Sequence, residues 1–256
     1  MRNPALPLAV SVVSLLAIIA VSGCSSAGTT TQEKAPEQDK GLDPTGGAAV
    51  DTTGKNPDGV PYPSTGIGTT SGTHKATAVG KPGDRIANFK FVGYINGDKA
   101  GGLKPFSMAD YYDPKAKTIK LIHIQAAGIW CGYCKLESQL IAPIADEMKA
   151  KGMILLTTVA EGKTGGTPAV LADLDAWLGI AQNPKYTIAL DPGNKNLGVF
   201  YTAAALPWNA WVDPRTMEIL EAHEGGYAQG TTSDKVRQDF DSWLNFVNNI
   251  YKPSGT

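Results

Sequence analysis

The stretch "IWCGYCKLE", residues 129–137, places Cys131 and Cys134 three positions apart, and this spacing decides how the chain is interpreted. The pair is compatible with a catalytic dithiol, with half of a zinc site, or with a structural disulfide. A β-branched apolar segment, 118–127, precedes the pair, and apolar residues at helical spacing, 134–152, follow it. The cysteines are therefore predicted at the end of a central strand and the start of a long helix.

A dithiol at this position is suited to disulfide exchange. A helix N-terminus has unpaired amide protons and the positive end of the helix dipole, and both favour a thiolate. We therefore expect Cys131 to be exposed, to have a lowered pKa and to act as the attacking nucleophile. Within a helical turn the two Cα atoms lie roughly 5 to 6 Å apart, inside the range for a disulfide. Cys134 would then resolve the mixed disulfide that Cys131 forms with a partner.

The apolar pattern around the pair predicts an α/β domain. Strands are predicted at 85–94, 118–127, 153–160, 185–191, 208–213 and 217–223. Helices are predicted at 134–152, interrupted at Pro143, then at 168–179 and 233–251. Ser233 is the candidate N-cap of the last helix. In this order the elements form a sheet with helices on both faces.

The N-terminus predicts export. Arg2 is followed by an apolar run from Ala5 to Val21, then by small residues and Cys24, as in a secretory signal. The tetrapeptide 21–24 resembles the bacterial lipobox, which implies that Cys24 carries lipid and begins the mature protein. We therefore predict a lipoprotein signal peptide at 1–23, placing the protein outside the cytosol on a membrane anchor.

The predicted linker follows from composition. More than half of residues 25–80 are Gly, Ser, Thr or Pro, so this segment buries too little apolar area to offset its ordering entropy. We predict a lipid-anchored flexible linker at 24–80 and a folded domain at 81–252. Tyr62 and Ile67 are exceptions to the predicted flexibility, because both side chains are suited to packing on the domain. The 23 basic and 24 acidic residues form no long like-charged run, so no nucleic-acid partner is predicted.

The wider sequence resembles the thioredoxin superfamily. Trp130 completes a WCxxC motif, and "ALPWNAWVD" (205–213) resembles the superfamily loop whose proline is cis and faces the disulfide. "GDRIANFKF" (83–91) and "LDPGNKNLGVFY" (190–201) resemble extracytoplasmic, membrane-anchored redoxins of the TlpA/ResA type. The resemblance implies a thioredoxin-like fold with a central mixed sheet, thiol:disulfide oxidoreductase activity in the cell envelope, and no cofactor.

The resemblance also assigns substrate contacts. It implies that Pro207 is the cis proline and that Leu206 and Pro207 hold an extended substrate segment, although Leu206 differs from the frequent threonine or valine. Trp130 and Tyr133 flank the sulfurs and are expected to supply an apolar landing surface. The implied partners are envelope proteins that contain disulfides or dithiols, with apocytochrome c as one candidate.

The acid near the dithiol has two interpretations. Many thioredoxins carry a buried acid where this chain has Gln125, whereas the ResA-like group has a glutamate where this chain has Glu137. Glu137 is expected either to shift the pKa of the dithiol by charge and desolvation or to be a solvated first-turn residue. The direction of electron transfer stays open, because the Gly132-Tyr133 pair also occurs in isomerases of the DsbC type.

Other functions compete for the same cysteines. Structural zinc needs two further ligands, and a closed disulfide over three residues stabilises little. A peroxiredoxin is disfavoured, because Gly128 and Ile124 stand where its peroxide-holding residues belong. A copper-binding or cytochrome-assembly chaperone remains the main alternative, with His223 as a third ligand, although a partly exposed strand histidine is the simpler interpretation. His123, Trp208 and Trp211 are assigned to the interior.

Overall fold

The computed structural model describes residues 54–63, 84–201 and 205–253. The strands are β1 (Lys90–Tyr94), β2 (Lys104–Ser107), β3 (Leu121–Gly128), β4 (Met153–Glu161), β5 (Thr187–Leu190), β6 (Trp208–Asp213) and β7 (Glu218–Glu224). The helices are α1 (Gly132–Ile141), α2 (Ala145–Ala150), α3 (Leu171–Ile180) and α4 (Ser233–Asn249). Short 3₁₀ turns connect several of these elements.

The strands form one mixed sheet in the order β2-β1-β5-β4-β3-β6-β7, which confirms the predicted architecture. β3, β4 and β5 are parallel, while β1 and β6 flank them in the antiparallel direction. The carboxyl ends of the parallel strands therefore meet at one edge. β6 begins at that same edge, because Trp208 pairs with Ala126 near the end of β3. The segments 129–134 and 205–207 are thus brought together.

Alternation along β3 and β6 separates two layers of the core. On one face His123 packs between Trp211 and Phe240, with ring centroids 4.4 and 5.1 Å away. Trp208 points to the opposite face and stacks on loop aromatics at centroid distances of 6.1 and 5.1 Å. These are Phe200 and Tyr201. Trp208 and Trp211 are buried, as predicted.

Several element boundaries differ from the predictions. The strand predicted at 85–94 begins at Lys90, because Arg85 makes only an isolated bridge to Glu218. The edge strand β2 was not predicted, since its sequence "KPFS" carries a proline and little apolar pattern. The N-cap of α4 is Thr232 rather than Ser233, because the Thr232 hydroxyl accepts the Lys235 amide.

The long helix predicted at 134–152 is divided in two. A 3₁₀ turn at Ala142–Ile144, containing Pro143, separates α1 from α2, as expected where a proline removes a backbone donor. The chain leaves α2 through Gly152, whose φ of +89° lies in the left-handed region that favours glycine. The predicted interruption and stop are both confirmed.

A segment N-terminal to the domain lies against it. The Tyr62 hydroxyl donates to the Ile86 carbonyl at 2.7 Å, and Asn56 Nδ2 donates to the Tyr112 carbonyl at 3.0 Å. The rings of Tyr62 and Tyr112 meet edge to face at 5.6 Å. Residues 54–63 therefore depart from the flexible chain predicted for 24–80, in the manner anticipated for Tyr62.

The other N-terminal predictions fall outside the described residues. These are the signal peptide at 1–23, the lipidation of Cys24, the docking of Ile67 and the boundary at 80 and 81. In the part of the chain that the structure describes, no helix has both the length and the apolar character needed to cross a bilayer.

Candidate active site

Cys131 and Cys134 form a disulfide with an S–S distance of 2.02 Å and a Cα–Cα distance of 5.3 Å. Cys131 is the N-cap of α1, and its Sγ accepts a hydrogen bond from the Cys134 amide at 3.0 Å. The predicted position between a central strand and a helix is confirmed. The predicted exposure of Cys131 is wrong in this disulfide form, because only 2% of the residue is exposed and both cysteines join the main apolar cluster.

The geometry at Cys131 favours a thiolate once the disulfide opens. The Cys134 amide already points at Cys131 Sγ, and the N-terminal end of α1 adds its positive dipole. Charge-assisted hydrogen bonds to a sulfur in this position stabilise its ionised form more than its neutral form. The role of Cys131 as the attacking nucleophile stays a prediction that this geometry favours.

Two aromatic side chains remain exposed beside the disulfide. Trp130 is 39% exposed and Tyr133 is 53% exposed, and we refer to the two as the landing surface. The Trp130 indole Nε1 donates to Glu161 Oε2 at 2.5 Å. A Cβ built on Gly165 would lie 3.5 Å from the indole ring, so the β4–α3 loop backs this ring closely. The indole is held in place while part of its surface stays accessible.

Glu161 was missed by the sequence analysis. It is buried at the end of β4, where its backbone carbonyl accepts the Ile129 amide at 2.8 Å. The available signal was its position at the carboxyl end of the strand that follows the CxxC helix, since such ends collect at one edge of a parallel sheet. Nothing in its local sequence indicated that Trp130 would be its partner.

The Leu206–Pro207 peptide bond is cis, as the resemblance implied for Pro207. The Pro207 carbonyl accepts the Gly225 amide at 2.7 Å, which ties the loop to the chain that follows β7. Leu206 and Pro207 are both buried in the disulfide form. Their contact with a substrate segment stays a prediction.

Glu137 lies inside the protein, and the alternative of a solvated first-turn glutamate is wrong. Only 1% of the residue is exposed, and burial raises the pKa of its carboxyl to about 7. Asn209 Nδ2 donates to Glu137 Oε2 at 3.1 Å, which partly offsets the desolvation. A Cβ on Gly226 would lie 2.7 Å from Oε2, so the chain after β7 closes directly over the carboxyl group.

Gln125 organises a buried polar cluster behind Cys134. Its Oε1 accepts hydrogen bonds from the hydroxyls of Ser138 at 2.8 Å and Thr157 at 3.0 Å. Its Nε2 faces the Cys134 carbonyl at 3.4 Å. These contacts join β3, α1 and β4, so Gln125 positions the helix that carries Cys134.

A cavity of about 250 Å³ lies beside Glu137, and we refer to it as the Glu137 cavity. Its walls include His123, Asn209, His223, Tyr227 and Asp239. His123 is interior, as predicted, and burial lowers its pKa to about 3, which keeps the imidazole neutral. The side chain of His223 is 37% exposed, in agreement with a partly exposed strand histidine.

The metal-binding alternatives require a cluster of metal ligands, and residues 54–63, 84–201 and 205–253 contain none. No three His, Cys, Asp or Glu side chains come together there in an arrangement that could hold a metal ion. His223 lines the Glu137 cavity on β7 and is not grouped with the two cysteines.

The arrangement identifies the fold. A disulfide caps the helix that follows the central parallel strand, and an antiparallel strand begins beside it at the same edge of the sheet. The sheet topology and the position of the disulfide are those of a thioredoxin-like fold. The sequence matches no family model and no curated protein.

Solved structures similar to this chain include proteins of more than one activity. The thioredoxin domain of a thiol-disulfide oxidoreductase from Bacteroides vulgatus is 14% identical, with a TM-score of 0.46 over 64% of this chain and 98% of that one. The exposed lipoprotein thioredoxin of Streptococcus pneumoniae is 20% identical, with a TM-score of 0.42 over 59% and 98%. AhpC from Enterococcus faecalis is 13% identical, with a TM-score of 0.48 over 67% and 97%. With identities of 20% or less and TM-scores below 0.5, these similarities assign no activity to this chain.

Proposed function

We propose that this protein is a thiol:disulfide oxidoreductase that exchanges disulfides with partner proteins outside the cytosol. One observation carries the proposal: the Cys131–Cys134 disulfide sits at the N-terminus of α1 with the Cys134 amide 3.0 Å from Cys131 Sγ. The same amide and the helix dipole stabilise the thiolate that is the reactive species in disulfide exchange.

Reduction of a partner proceeds in two exchanges. The Cys131 thiolate attacks one sulfur of the partner disulfide, forming a mixed disulfide and releasing the other partner sulfur as a thiolate. Cys134 then loses its proton, and its thiolate attacks Cys131 Sγ, which closes the internal disulfide and releases the second partner thiolate. The partner gains two electrons, the dithiol loses two, and the released thiolates take up protons from water. The oxidising direction runs the same steps in reverse.

Glu137 is the base for Cys134 in this scheme. The two residues are three positions apart on α1 and both are buried, so they share one side of the helix. With a pKa of about 7, the Glu137 carboxyl is partly ionised at neutral pH and can either accept or return a proton. The role is that of a general acid–base whose strength is matched to the working pH.

The landing surface and the cis-proline loop hold the partner. Trp130 and Tyr133 offer exposed aromatic surface beside the sulfurs, which suits apolar residues flanking the partner's cysteine. Leu206 and Pro207 lie at the same sheet edge and are assigned to an extended partner segment. Both residues are buried in the disulfide form, so this contact requires a local movement of the chain.

The sequence supports the location of this reaction. A signal peptide at 1–23 and a lipidated Cys24 would hold the enzyme at a membrane outside the cytosol, where partner disulfides persist. We infer that its partners are envelope proteins with disulfides or dithiols, with apocytochrome c as one candidate.

The trapping variant Cys134→Ala tests this function. Reduced variant protein, incubated with an envelope extract and then quenched by thiol alkylation, is expected to retain partners as mixed disulfides that dithiothreitol releases. Cys131→Ala is the matched control and should retain none. If Cys134→Ala also retains none while the wild-type dithiol is redox-active, partner exchange is not the function.

A second measurement determines the direction. The reduction potential of the Cys131–Cys134 pair, titrated against glutathione or dithiothreitol, is expected to fall within the range of about −270 to −120 mV spanned by thioredoxin and DsbA. A value near the lower end indicates a reductase, and a value near the upper end indicates an oxidant or isomerase. A pair that cannot be reduced in this range would contradict the proposal.

A further inference from the structure

The proposed reaction requires a proton to leave the buried side chain of Cys134. Cys134 and Glu137 are both buried, so the proton that Cys134 loses cannot pass directly to bulk water. Glu137 holds one proton and has to exchange it in every cycle. A docked partner would cover the landing surface at Trp130 and Tyr133, so an exit on that side is closed when it is needed.

The Glu137 cavity is lined by residues of α1, β3, β6, β7, α4 and the chain that follows β7, and neither Trp130 nor Tyr133 is among them. Its inner wall carries Glu137 and His123, which are buried, and its outer wall carries His223 and Glu221 of β7. The outer pair is accessible, with 37% and 35% of the two side chains exposed. The cavity therefore joins a buried carboxyl group to the surface through β7 and α4, distant in sequence from the disulfide.

We propose that the Glu137 cavity is the proton route between Glu137 and solvent, and that His223 relays protons at its outer end. The inference rests on the proposed disulfide exchange and assigns a role to a residue outside the dithiol. The volume of about 250 Å³ accommodates several waters at roughly 30 Å³ each. The polar walls supply the two to four hydrogen-bond partners that each water needs.

The transfer moves a proton and no electrons. The Glu137 carboxyl group, protonated by Cys134, gives its proton to a cavity water, and the water gives one to the His223 imidazole. The imidazolium then releases its proton to bulk water, which restores both the carboxylate and the neutral imidazole. Burial lowers the pKa of His223, so its imidazole is neutral between transfers and the imidazolium gives up its proton readily.

The other titratable groups that face the cavity are less suited to the relay. His123 on β3 is held neutral by burial, which lowers its pKa to about 3, and burial raises the pKa of Tyr227, which keeps the phenol protonated. Asp239 on α4 pairs with Lys235 at 2.6 Å. Glu221 on β7 lies 3.7 Å from His223 Nδ1 and would stabilise the transient imidazolium.

The test separates the two exchange steps. Reduced protein is mixed with a disulfide-bonded peptide, and formation and resolution of the mixed disulfide are followed by rapid alkylation. His223→Leu is expected to leave the first step unchanged and to slow resolution about a hundredfold at neutral pH, the lower end of the range for general acid–base catalysis. Imidazole added to the buffer should restore the rate. Glu224→Gln, on the same strand and outside the cavity, should change neither step.

Each outcome decides between the route and a structural role. Slow resolution that imidazole restores supports the route, whereas slow resolution without rescue, or an unchanged rate, overturns it. If His223→Leu does not fold, the solvent deuterium isotope effect on resolution in the wild-type protein replaces it, and an effect of unity overturns the route. A wild-type protein that forms no mixed disulfide would instead refute the proposed function.

Discussion

Replacing Glu137 by glutamine should remove a loss of stability that the wild-type protein undergoes as pH rises. Burial raises the pKa of the Glu137 carboxyl from 4.5 to about 7, so between these values the folded protein keeps a proton that the unfolded chain has lost. The free energy of unfolding therefore falls as pH rises through this window. At about 1.4 kcal/mol for each tenfold change in proton affinity, the total is about 3 kcal/mol. Glutamine has the same shape, does not titrate and incurs no such loss.

The assay is urea unfolding of the disulfide form of wild-type protein and Glu137→Gln across this pH range. The difference in unfolding free energy, variant minus wild type, should rise by about 3 kcal/mol between acid and mildly alkaline pH, because all other titrations cancel in the difference. Glu147→Gln is the control of opposite sign, since hydrogen bonds from Lys151 and Arg237 lower the pKa of the exposed Glu147. A flat difference for Glu137→Gln would refute a neutral buried carboxyl.

Three further substitutions, one with a matched control, test contacts around the site and at residues 54–63. Gly226→Ala should destabilise the protein by about 1 to 3 kcal/mol in thermal or urea unfolding, because its Cβ would lie 2.7 Å from Glu137 Oε2, whereas Gly179→Ala, with open space in α3, should be neutral or stabilising. Glu161→Ala should cost about 1.5 to 3 kcal/mol by removing the acceptor of the Trp130 indole and should raise the KM for a disulfide peptide; an unchanged KM would separate Trp130 from substrate binding. Tyr62→Phe should cost about 1 kcal/mol through its lost hydrogen bond to a backbone carbonyl, and no change in unfolding would show that residues 54–63 add nothing to stability.

The dithiol and its local setting could be predicted because they depend on short-range patterns. The apolar β-branched run before Cys131 and the helical spacing after Cys134 placed the pair at a strand–helix junction, where β3 ends and α1 begins. The cis state of Pro207 followed from the resemblance of its loop to the thioredoxin superfamily. Element boundaries were predicted less accurately. The strand β2 was missed because its four residues do not encode a strand by themselves and form one by pairing with β1.

The environment of Glu137 could not be predicted in the same way. A glutamate in the second turn of a helix is ordinarily solvated, and nothing within α1 distinguishes it from such a residue. Its burial depends on Asn209 from β6 and on Gly226 after β7, which lie more than seventy positions along the chain and meet it only when the sheet forms. Glu161 likewise meets Trp130 only when the sheet forms, because Glu161 ends β4 whereas Trp130 follows β3.

The sequence by itself determined the place of the Cys131–Cys134 pair, the order of most strands and helices, and the interior placement of Trp208, Trp211 and His123. These properties follow from residue type and periodicity, which act over a few residues. Tertiary structure decided the protonation of Glu137 and the cavity that joins it to His223. Both depend on how far water is excluded by segments distant in the chain, and desolvation of a carboxyl group is a property of that assembled surrounding.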